Sequence, residues 1–233
     1  MSKYSDFSKF KNKHINQRCF VILTGPSLTL EDINMLKNET TFAVNSCIKL
    51  YSKTDWRPSY YVITDRLVYK SIGQELETSD MSCPIFYSRN GLQTKIKKAN
   101  SYPFKSLYFY HFINFLSNGK STLGWSDNIS KGVADAPSCV YAVMQIAYYM
   151  GFKEVYVIGA DCNYSLDNQH SKIANYTPKV KISKNAGEHV LKAWRSIKKH
   201  LDNKDMKVYN ATRGGMLELF PRVKLEDVVK KGK

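Results

Sequence analysis

The chain has 233 residues, of which 43% are hydrophobic and 13% aromatic, so it can bury one sizeable core and is not intrinsically disordered. A net charge of +15 calls for an anionic partner: a phosphorylated small molecule, a nucleic acid or an acidic membrane surface. No apolar run of about 18 residues occurs, and the first residues lack the apolar stretch of a signal peptide. We therefore expect a cytoplasmic location.

The first part of the chain alternates short apolar runs with polar turns. Residues 1–17 are polar and predict an N-terminal arm, whereas residues 18–233 predict a single domain. Cys19–Leu23 is apolar and ends at Gly-Pro, which indicates a buried strand. Thr29 is placed to cap a helix over Leu30–Lys37. A short helix over Ile48–Tyr51 and three further strands follow, at Thr41–Val44, Tyr60–Ile63 and Pro84–Tyr87.

The second part begins with residues 88–131, which are rich in Asn, Ser, Lys and aromatic residues. They predict a lid-like insertion, with a candidate strand at Ser106–Tyr110. Beyond them the pattern of alternating helices and strands resumes: helices at Ser138–Met150, Ala186–Leu201 and Leu225–Val229, and strands at Glu154–Ile158 and Met206–Tyr209. This alternation predicts the α/β class, with a mostly parallel sheet covered by helices on both faces.

Polar or glycine-rich sequence follows each predicted strand, where an open α/β sheet binds its ligands. At Gly25-Pro26-Ser27 the glycine allows close backbone approach, and free amides at a helix start attract phosphate. The alternative interpretation is a plain turn with Ser27 as a cap. Asn45, Ser46 and Asp65 follow the next two strands, where they could hold a ribose, a base edge or a metal ion, or simply form turns.

The densest polar group follows the strand at Glu154–Ile158. Asp161 is a candidate general base, metal ligand or hydroxyl acceptor, and Tyr164 is a candidate donor to a leaving phosphate. His170 titrates near neutrality and is a candidate acid or base; the alternative is an exposed loop histidine. For Cys162, in the same loop, we expect packing rather than nucleophilic chemistry.

One arginine near the C-terminus is a candidate anion clamp. Arg213 stands in Asn-Ala-Thr-Arg-Gly-Gly, and its guanidinium can bind phosphate or carboxylate through two hydrogen bonds, although a turn arginine is the alternative. Walker, Gly-x-Gly-x-x-Gly, His-Glu-x-x-His and Gly-x-Ser-x-Gly motifs are absent. Their absence disfavours P-loop kinases, classical dinucleotide-binding dehydrogenases, zinc proteases and α/β-hydrolases. No nucleic-acid-binding signature accompanies the charge.

Several of these blocks together resemble a known family. They are Gly25-Pro26-Ser27-Leu28, Asp65, the run from Gly151 to Tyr164, and Asn210 to Glu218. The pattern resembles the MptE-like family, related to the motility-associated-factor glycosyltransferases, and more distantly the bacterial lipooligosaccharide sialyltransferases. The resemblance implies a single Rossmann-like domain with a lid. It also implies one of two chemistries: transfer of a CMP-activated sugar without a metal, or transfer of pyrophosphate from ATP to a hydroxymethyl-dihydropterin with magnesium.

Carried onto this chain, the resemblance and the strand ends together give a set of expected roles. Asp161, Tyr164 and His170 are the expected catalytic residues. The expected nucleotide or donor contacts are Gly25, Pro26, Ser27, Asn45, Ser46, Asp65, Ser138, Gly159, Asn163 and Arg213. We expect no required cofactor; Asp65 and Asp161 keep a magnesium-dependent reaction open.

The chain departs from the sialyltransferase pattern at four positions. Thr24 precedes Gly-Pro-Ser where those enzymes have Asn, and Asp65 stands near another of their asparagines. Their tyrosine two residues after the Asp corresponds to Asn163, and their catalytic histidine corresponds to Ile182. The favoured hypothesis is a glycosyltransferase with a CMP-linked donor and a glycan or lipid-linked acceptor, in contact with the inner membrane face. The alternative is the pterin pyrophosphokinase.

Overall fold

The computed structural model describes residues 4–107, 123–163 and 186–230. Within these residues the strands are β1 (Arg18–Ile22), β2 (Thr41–Val44), β3 (Tyr60–Ile63), β4 (Ile85–Ser88), β5 (Ser101–Phe104), β6 (Ser106–Leu107), β7 (Val133–Ala134), β8 (Glu154–Ile158) and β9 (Lys207–Asn210). The helices are α1 (Leu30–Met35), α2 (Arg66–Thr78), α3 (Arg89–Leu92), α4 (Cys139–Tyr149), α5 (Ala186–Leu201) and α6 (Leu225–Lys230), with 3-10 helices at Ser8–Phe10 and Asn45–Ser52.

Seven of the described strands form one sheet in the order β5-β4-β3-β2-β1-β8-β9, and every pairing in it is parallel. The chain moves outward from β1 to β5 and then returns to the other side of β1 with β8. The strand order therefore reverses between β1 and β8, where Ile22 pairs with Ile158. Such a reversal opens a crevice at the carboxyl ends of the two strands.

The central strands are apolar on both faces because helices cover both. Val21, Val44 and Val62 point into a core formed with α4 and α5, while Phe20 and Tyr61 point into a second core on the opposite face, formed with α1, α2 and α6. Strands buried in this way read as continuous apolar runs, which is why the sequence predicts them well. The predicted α/β fold class, with a mostly parallel sheet, is confirmed.

Several predicted elements are found at the expected bounds, namely Thr41–Val44, Tyr60–Ile63, Glu154–Ile158 and Ala186–Leu201. Thr29 caps α1 as expected, in a reciprocal pair of hydrogen bonds with Asp32. The sequence analysis missed α2, which follows directly on Asp65. None of the described helices is both long and apolar enough to cross a membrane.

Two predicted segments lie differently from expectation. In the N-terminal arm, Phe7 and Phe10 are buried in the core, so this part of residues 1–17 packs on the domain. Within the predicted lid of residues 88–131, β5 is a strand of the main sheet and Leu92 and Ile96 are buried beside it. This part is therefore core, because its apolar residues are spaced to reach the sheet. Residues 108–122, with the end of the candidate strand Ser106–Tyr110, lie outside the described residues.

A buried amide side chain joins the small β6–β7 pair to the main domain. The Gln145 side chain on α4 is fully buried; its Oε1 accepts from the amides of Ser126 and Ala134, at 3.0 and 2.9 Å. Its Nε2 donates to the carbonyls of Ala134 and Tyr141, at 3.0 and 2.9 Å. Gln145 thus satisfies backbone groups that would otherwise be buried without partners.

Replacing Gln145 by Leu should lower the free energy of unfolding by about 2–4 kcal/mol, because buried amides and carbonyls lose their partners while the volume is nearly kept. Denaturant unfolding followed by circular dichroism measures the loss. Gln74→Leu, at an exposed position of α2, is the matched control and should change stability little. Equal effects of the two substitutions would contradict this role of Gln145.

Candidate functional site

Three loops meet at the carboxyl ends of β1, β8 and β9. The amide of Gly25 donates to the carbonyl of Gly159 at 3.0 Å, which joins the first loop to the second. The amide of Ala160 donates to Oγ1 of Thr212 at 3.0 Å, which joins the second loop to the third. The amide of Met216 donates to the carbonyl of Asp161 at 2.7 Å. The parallel pairing of the three strands thus brings residues far apart in sequence into one site.

Two glycines allow this close approach. A Cβ at Gly25 would overlap the Asp161 carboxylate and the carbonyl of Gly159. At Gly215 the backbone has φ +76°, and a Cβ would lie 2.7 Å from Cα of Asp161. Side chains at either position would force the loops apart, so both positions require glycine.

Asp161 connects the first two loops through its side chain. Its Oδ1 accepts from the amide of Ser27 at 3.2 Å, and its Oδ2 accepts from the Ser27 hydroxyl at 2.8 Å. The residue is 8% exposed. Burial raises the pKa of the Asp161 carboxyl above its ordinary value, and the hydrogen bonds from Ser27 offset part of that rise. A carboxylate of the protein therefore sits on the amide and hydroxyl that were predicted to receive a phosphate.

The end of β2 contributes polar atoms that have no partner. Among the described residues, neither Oδ1 of Asn45 nor Oγ of Ser46 has a hydrogen-bond partner, although both atoms are buried. Asn45 adopts φ 49°, and its backbone carbonyl accepts from the Tyr61 hydroxyl. Because Ile22 pairs with Ala43, these residues leave the sheet next to the Gly25 loop. Buried polar atoms without partners are costly, so these two are candidates to bind a ligand.

The carboxyl end of β3 and the N-terminal end of α4 lie on the same side of the crevice. Asp65 caps α2 and accepts from the amides of Leu67 and Val68 at 2.6 and 2.9 Å. Its carboxylate therefore stabilises the turn before α2, which was the alternative to ligand binding. Ser138 precedes α4 and makes no side-chain capping bond. Cys139, which follows it, donates its Sγ to the carbonyl of Val62 at 3.5 Å, which places the amide end of α4 at the end of β3.

Arg213 is a correction to the sequence analysis. Its guanidinium forms ion pairs with Asp32 and Glu226, and these hydrogen bonds raise its pKa. It lies beside a cavity of about 580 Å³ between the end of β9 and α6. Both neighbouring carboxylates neutralise it, so Arg213 braces α1 against α6 and is not a free cation facing a phosphate.

The remaining predicted residues divide into three groups. Pro26 and Gly159 lie in the interlocked loops, and Asn163 is exposed at the edge of the crevice. Cys162 is buried, and burial raises the pKa of its thiol to about 11, as suits a packed cysteine. Tyr164 and His170 lie outside the described residues, so their catalytic roles stay predictions.

Sequence reasoning also missed two bracing residues in the third loop. Thr212 supplies the hydroxyl that accepts from Ala160, and Arg222 donates to the carbonyls of Thr212 and Gly214. The glycine pair beside Thr212 was the available signal, since it marks a loop of unusual backbone geometry. Within the described ranges, no three His, Cys, Asp or Glu side chains gather at one position for a metal ion.

Comparison with known proteins places this chain in a family. A family model described as 6-hydroxymethylpterin diphosphokinase MptE-like matches residues 1–167. The chain belongs to the MptE-like family. No curated protein sequence matches it significantly.

Two solved structures share the fold of this MptE-like chain. One is the MAf glycosyltransferase from Magnetospirillum magneticum AMB-1, with TM-score 0.58 and 13% identity over 95% of this chain. The chain spans 37% of that protein's length. The other is the sialyltransferase CstII from Campylobacter jejuni in complex with cytidine-5'-monophosphate as a substrate analogue, with TM-score 0.50 and 17% identity over 90% of this chain and 85% of that one. The suspected resemblance to these groups is thereby confirmed at the level of family and fold.

Substitution of Gly25 by Ala should lower the free energy of unfolding by about 1–3 kcal/mol, because the added methyl group separates the Gly159 and Asp161 loops. Thermal or denaturant unfolding measures the change. Gly124→Ala is the control, since its added Cβ meets only Ala134, at 3.9 Å. A Gly25→Ala protein as stable as the control would mean that the loops are not in tight contact.

The raised pKa of Asp161 predicts a pH-dependent effect of Asp161→Asn. A carboxyl whose pKa is raised in the folded state loses stability as pH rises from its unfolded value of 3.8 through the folded value. The asparagine keeps hydrogen bonds to Ser27 without that loss. Relative to the parent protein, the variant should thus gain more stability at about pH 7 than at about pH 3.5. A difference in stability between variant and parent that does not change with pH would contradict a raised pKa of Asp161 in the folded protein.

Proposed function

We propose that this protein is a glycosyltransferase that takes a sugar from a nucleotide donor, CMP-linked, in the assembly of a surface polysaccharide or glycoconjugate. The observation that carries the proposal is the pair of unpartnered buried oxygens after β2, beside the reversal of strand order between β1 and β8, where such sheets bind ligands. Oδ1 of Asn45 and Oγ of Ser46 follow β2, which pairs with β1, so these atoms lie next to the Gly25 loop. Such a site suits a nucleotide better than an apolar ligand.

The donor set matches the parts of a nucleotide. An amide oxygen such as Oδ1 of Asn45 accepts from a ribose hydroxyl or a base amine, and a serine hydroxyl both donates and accepts. The amide end of α4 and the Ser27 loop supply N–H groups that favour a phosphate. Because Ser27 is bound by Asp161, a phosphate that uses its amide and hydroxyl must displace the carboxylate or meet it protonated.

The two fold neighbours support this choice of donor. One is a glycosyltransferase and the other is a sialyltransferase bound to cytidine-5'-monophosphate. The acceptor, a glycan or a lipid-linked glycan, is proposed from the charge of +15, which suits an anionic acceptor as well as an anionic donor.

The proposed reaction is an inverting displacement at the anomeric carbon. An acceptor hydroxyl oxygen forms the new bond to that carbon while the bond to the phosphate oxygen breaks, and a base takes the hydroxyl proton. Amide and hydroxyl donors of the crevice stabilise the charge on the departing phosphate. Asp161 is proposed to line the leaving-group side, with His170 as the base and Tyr164 as a donor.

A second candidate is favoured by the description of the family itself. A 6-hydroxymethylpterin diphosphokinase transfers a diphosphate, and the resemblance gives it ATP with magnesium as the donor. Asp65 and Asp161 are the carboxylates proposed for the ion. Each already accepts hydrogen bonds from protein groups, at the start of α2 and from Ser27, so they would have to exchange these bonds for the metal.

Nucleotide binding separates the two functions. We expect CMP to raise the melting temperature and to bind in calorimetry, with ATP plus magnesium giving a smaller shift. CMP-activated sugar should also be consumed when acceptor is supplied. A larger shift with ATP and magnesium, together with diphosphate transfer to the pterin, would overturn the glycosyltransferase proposal.

Ser46→Ala and Asn45→Gly test the two unpartnered oxygens. Ser46→Ala removes a buried hydroxyl without a described partner, so the unliganded protein should be as stable or more stable, while CMP affinity falls by about tenfold. Asn45→Gly keeps the backbone at positive φ while removing the amide, with a similar loss of affinity expected. Asn16→Gly is its control, because Asn16 also has positive φ, 62°, but lies before β1 at the other edge of the sheet. Unchanged CMP affinity in both site variants would show that these two oxygens do not contact the nucleotide.

A further inference from the structure

Exposed hydrophobic side chains flank the crevice on both sides. Leu67, in the first turn of α2 after β3, is 49% exposed, and Met216, in the loop after β9, is 57% exposed. Since all seven strands of the sheet are parallel, both residues lie at the carboxyl edge that carries the crevice. With β2, β1 and β8 between β3 and β9, they are separated by about 20 Å along that edge.

The same edge carries cations that the described residues leave unpaired. Arg66 and Lys70 are exposed on either side of Leu67, and Lys105 is exposed after β5. No described carboxylate lies within ion-pair distance of these three side chains. Asp65, next to Arg66, directs its carboxylate to the amides of α2. Exposed apolar side chains next to cations that have no described partner suit a surface with anionic groups outside and apolar groups beneath them.

We propose that the carboxyl edge of the sheet docks on an anionic lipid bilayer. Leu67 and Met216 enter the interface between headgroups and acyl chains, while Arg66, Lys70 and Lys105 contact lipid phosphates. The crevice between β1 and β8 then opens towards the bilayer. This inference rests on the proposed function only in its consequence, namely that the acceptor sugar is carried on a lipid in that bilayer.

One further exposed hydrophobic side chain gives a matched control. Ile15 is 56% exposed and precedes β1, packed near Gly151 before β8, so it lies at the opposite, amino edge of the sheet. A general affinity of apolar tips for lipid would involve Ile15 as much as Leu67. Of these exposed side chains, docking through the carboxyl edge involves only Leu67 and Met216.

The test is co-sedimentation of the full chain with vesicles of phosphatidylglycerol and phosphatidylethanolamine. We expect binding that weakens with salt and is much weaker on phosphatidylcholine vesicles. The double variant Leu67→Ser/Met216→Ser should bind about tenfold more weakly, whereas Ile15→Ser should bind as the parent does. Equal loss in all variants, or no binding of the parent protein to anionic vesicles, would overturn the proposal.

Net charge alone could draw this basic chain to anionic lipid, so a second pair of variants keeps the charge change constant. Arg66→Gln/Lys70→Gln should weaken vesicle binding by about tenfold or more. Lys37→Gln/Lys53→Gln removes the same charge from exposed positions at the amino edge and should have a smaller effect. Equal effects would show that docking is not confined to the carboxyl edge.

Nucleotide binding reports separately on the proposed function. Leu67→Ser/Met216→Ser should bind CMP as the parent does, because neither side chain is assigned to the donor. If the chain docks on vesicles through this edge but binds no CMP, the glycosyltransferase proposal fails and the docking surface stands. If it binds CMP but the edge variants bind vesicles normally, the docking inference alone fails.

Discussion

The contact between the loops after β1 and β8 is the constraint on which the site depends. The parallel pairing of Ile22 with Ile158 delivers the two chain segments side by side, and only a residue without a side chain at Gly25 lets them touch. The carbonyl of Gly159 then accepts from Gly25, and Asp161 reaches Ser27. A side chain at Gly25 would open this joint and move every group that borders the crevice.

This joint places the Asp161 carboxylate on the amide and hydroxyl of Ser27. The amide and hydroxyl of Ser27 would otherwise face solvent or a ligand, and the carboxylate satisfies both while itself being nearly buried. Because burial raises the pKa of Asp161, the ionised form is less favoured over the protonated form than it is in a solvated carboxyl group. A phosphate that bound the amide and hydroxyl of Ser27 would have to displace this carboxylate.

The sequence predicted the sheet because strands buried on both faces appear as continuous apolar runs between turn residues. It missed α2, whose apolar positions Ile72 and Leu76 alternate with charged and polar residues over its length. It assigned Arg213 to a phosphate because its partner Asp32 lies 181 residues away in the sequence, and such a pairing exists only once the loops have met. The positions of the strand ends were predicted correctly, whereas the bonding of each side chain there depends on tertiary contacts.

The parallel topology also explains why the residues from which binding and docking are proposed share one edge. Every strand of the sheet ends there, so side chains from loops that are distant in sequence are brought to one edge. At the ends of the central strands β1, β2 and β8, neighbouring loops bury polar atoms and form a crevice. On either side of these strands, after β3 and after β9, Leu67 and Met216 are exposed. A polar centre with one exposed apolar side chain on each side thus follows from the parallel strands, and the proposed docking rests on this arrangement.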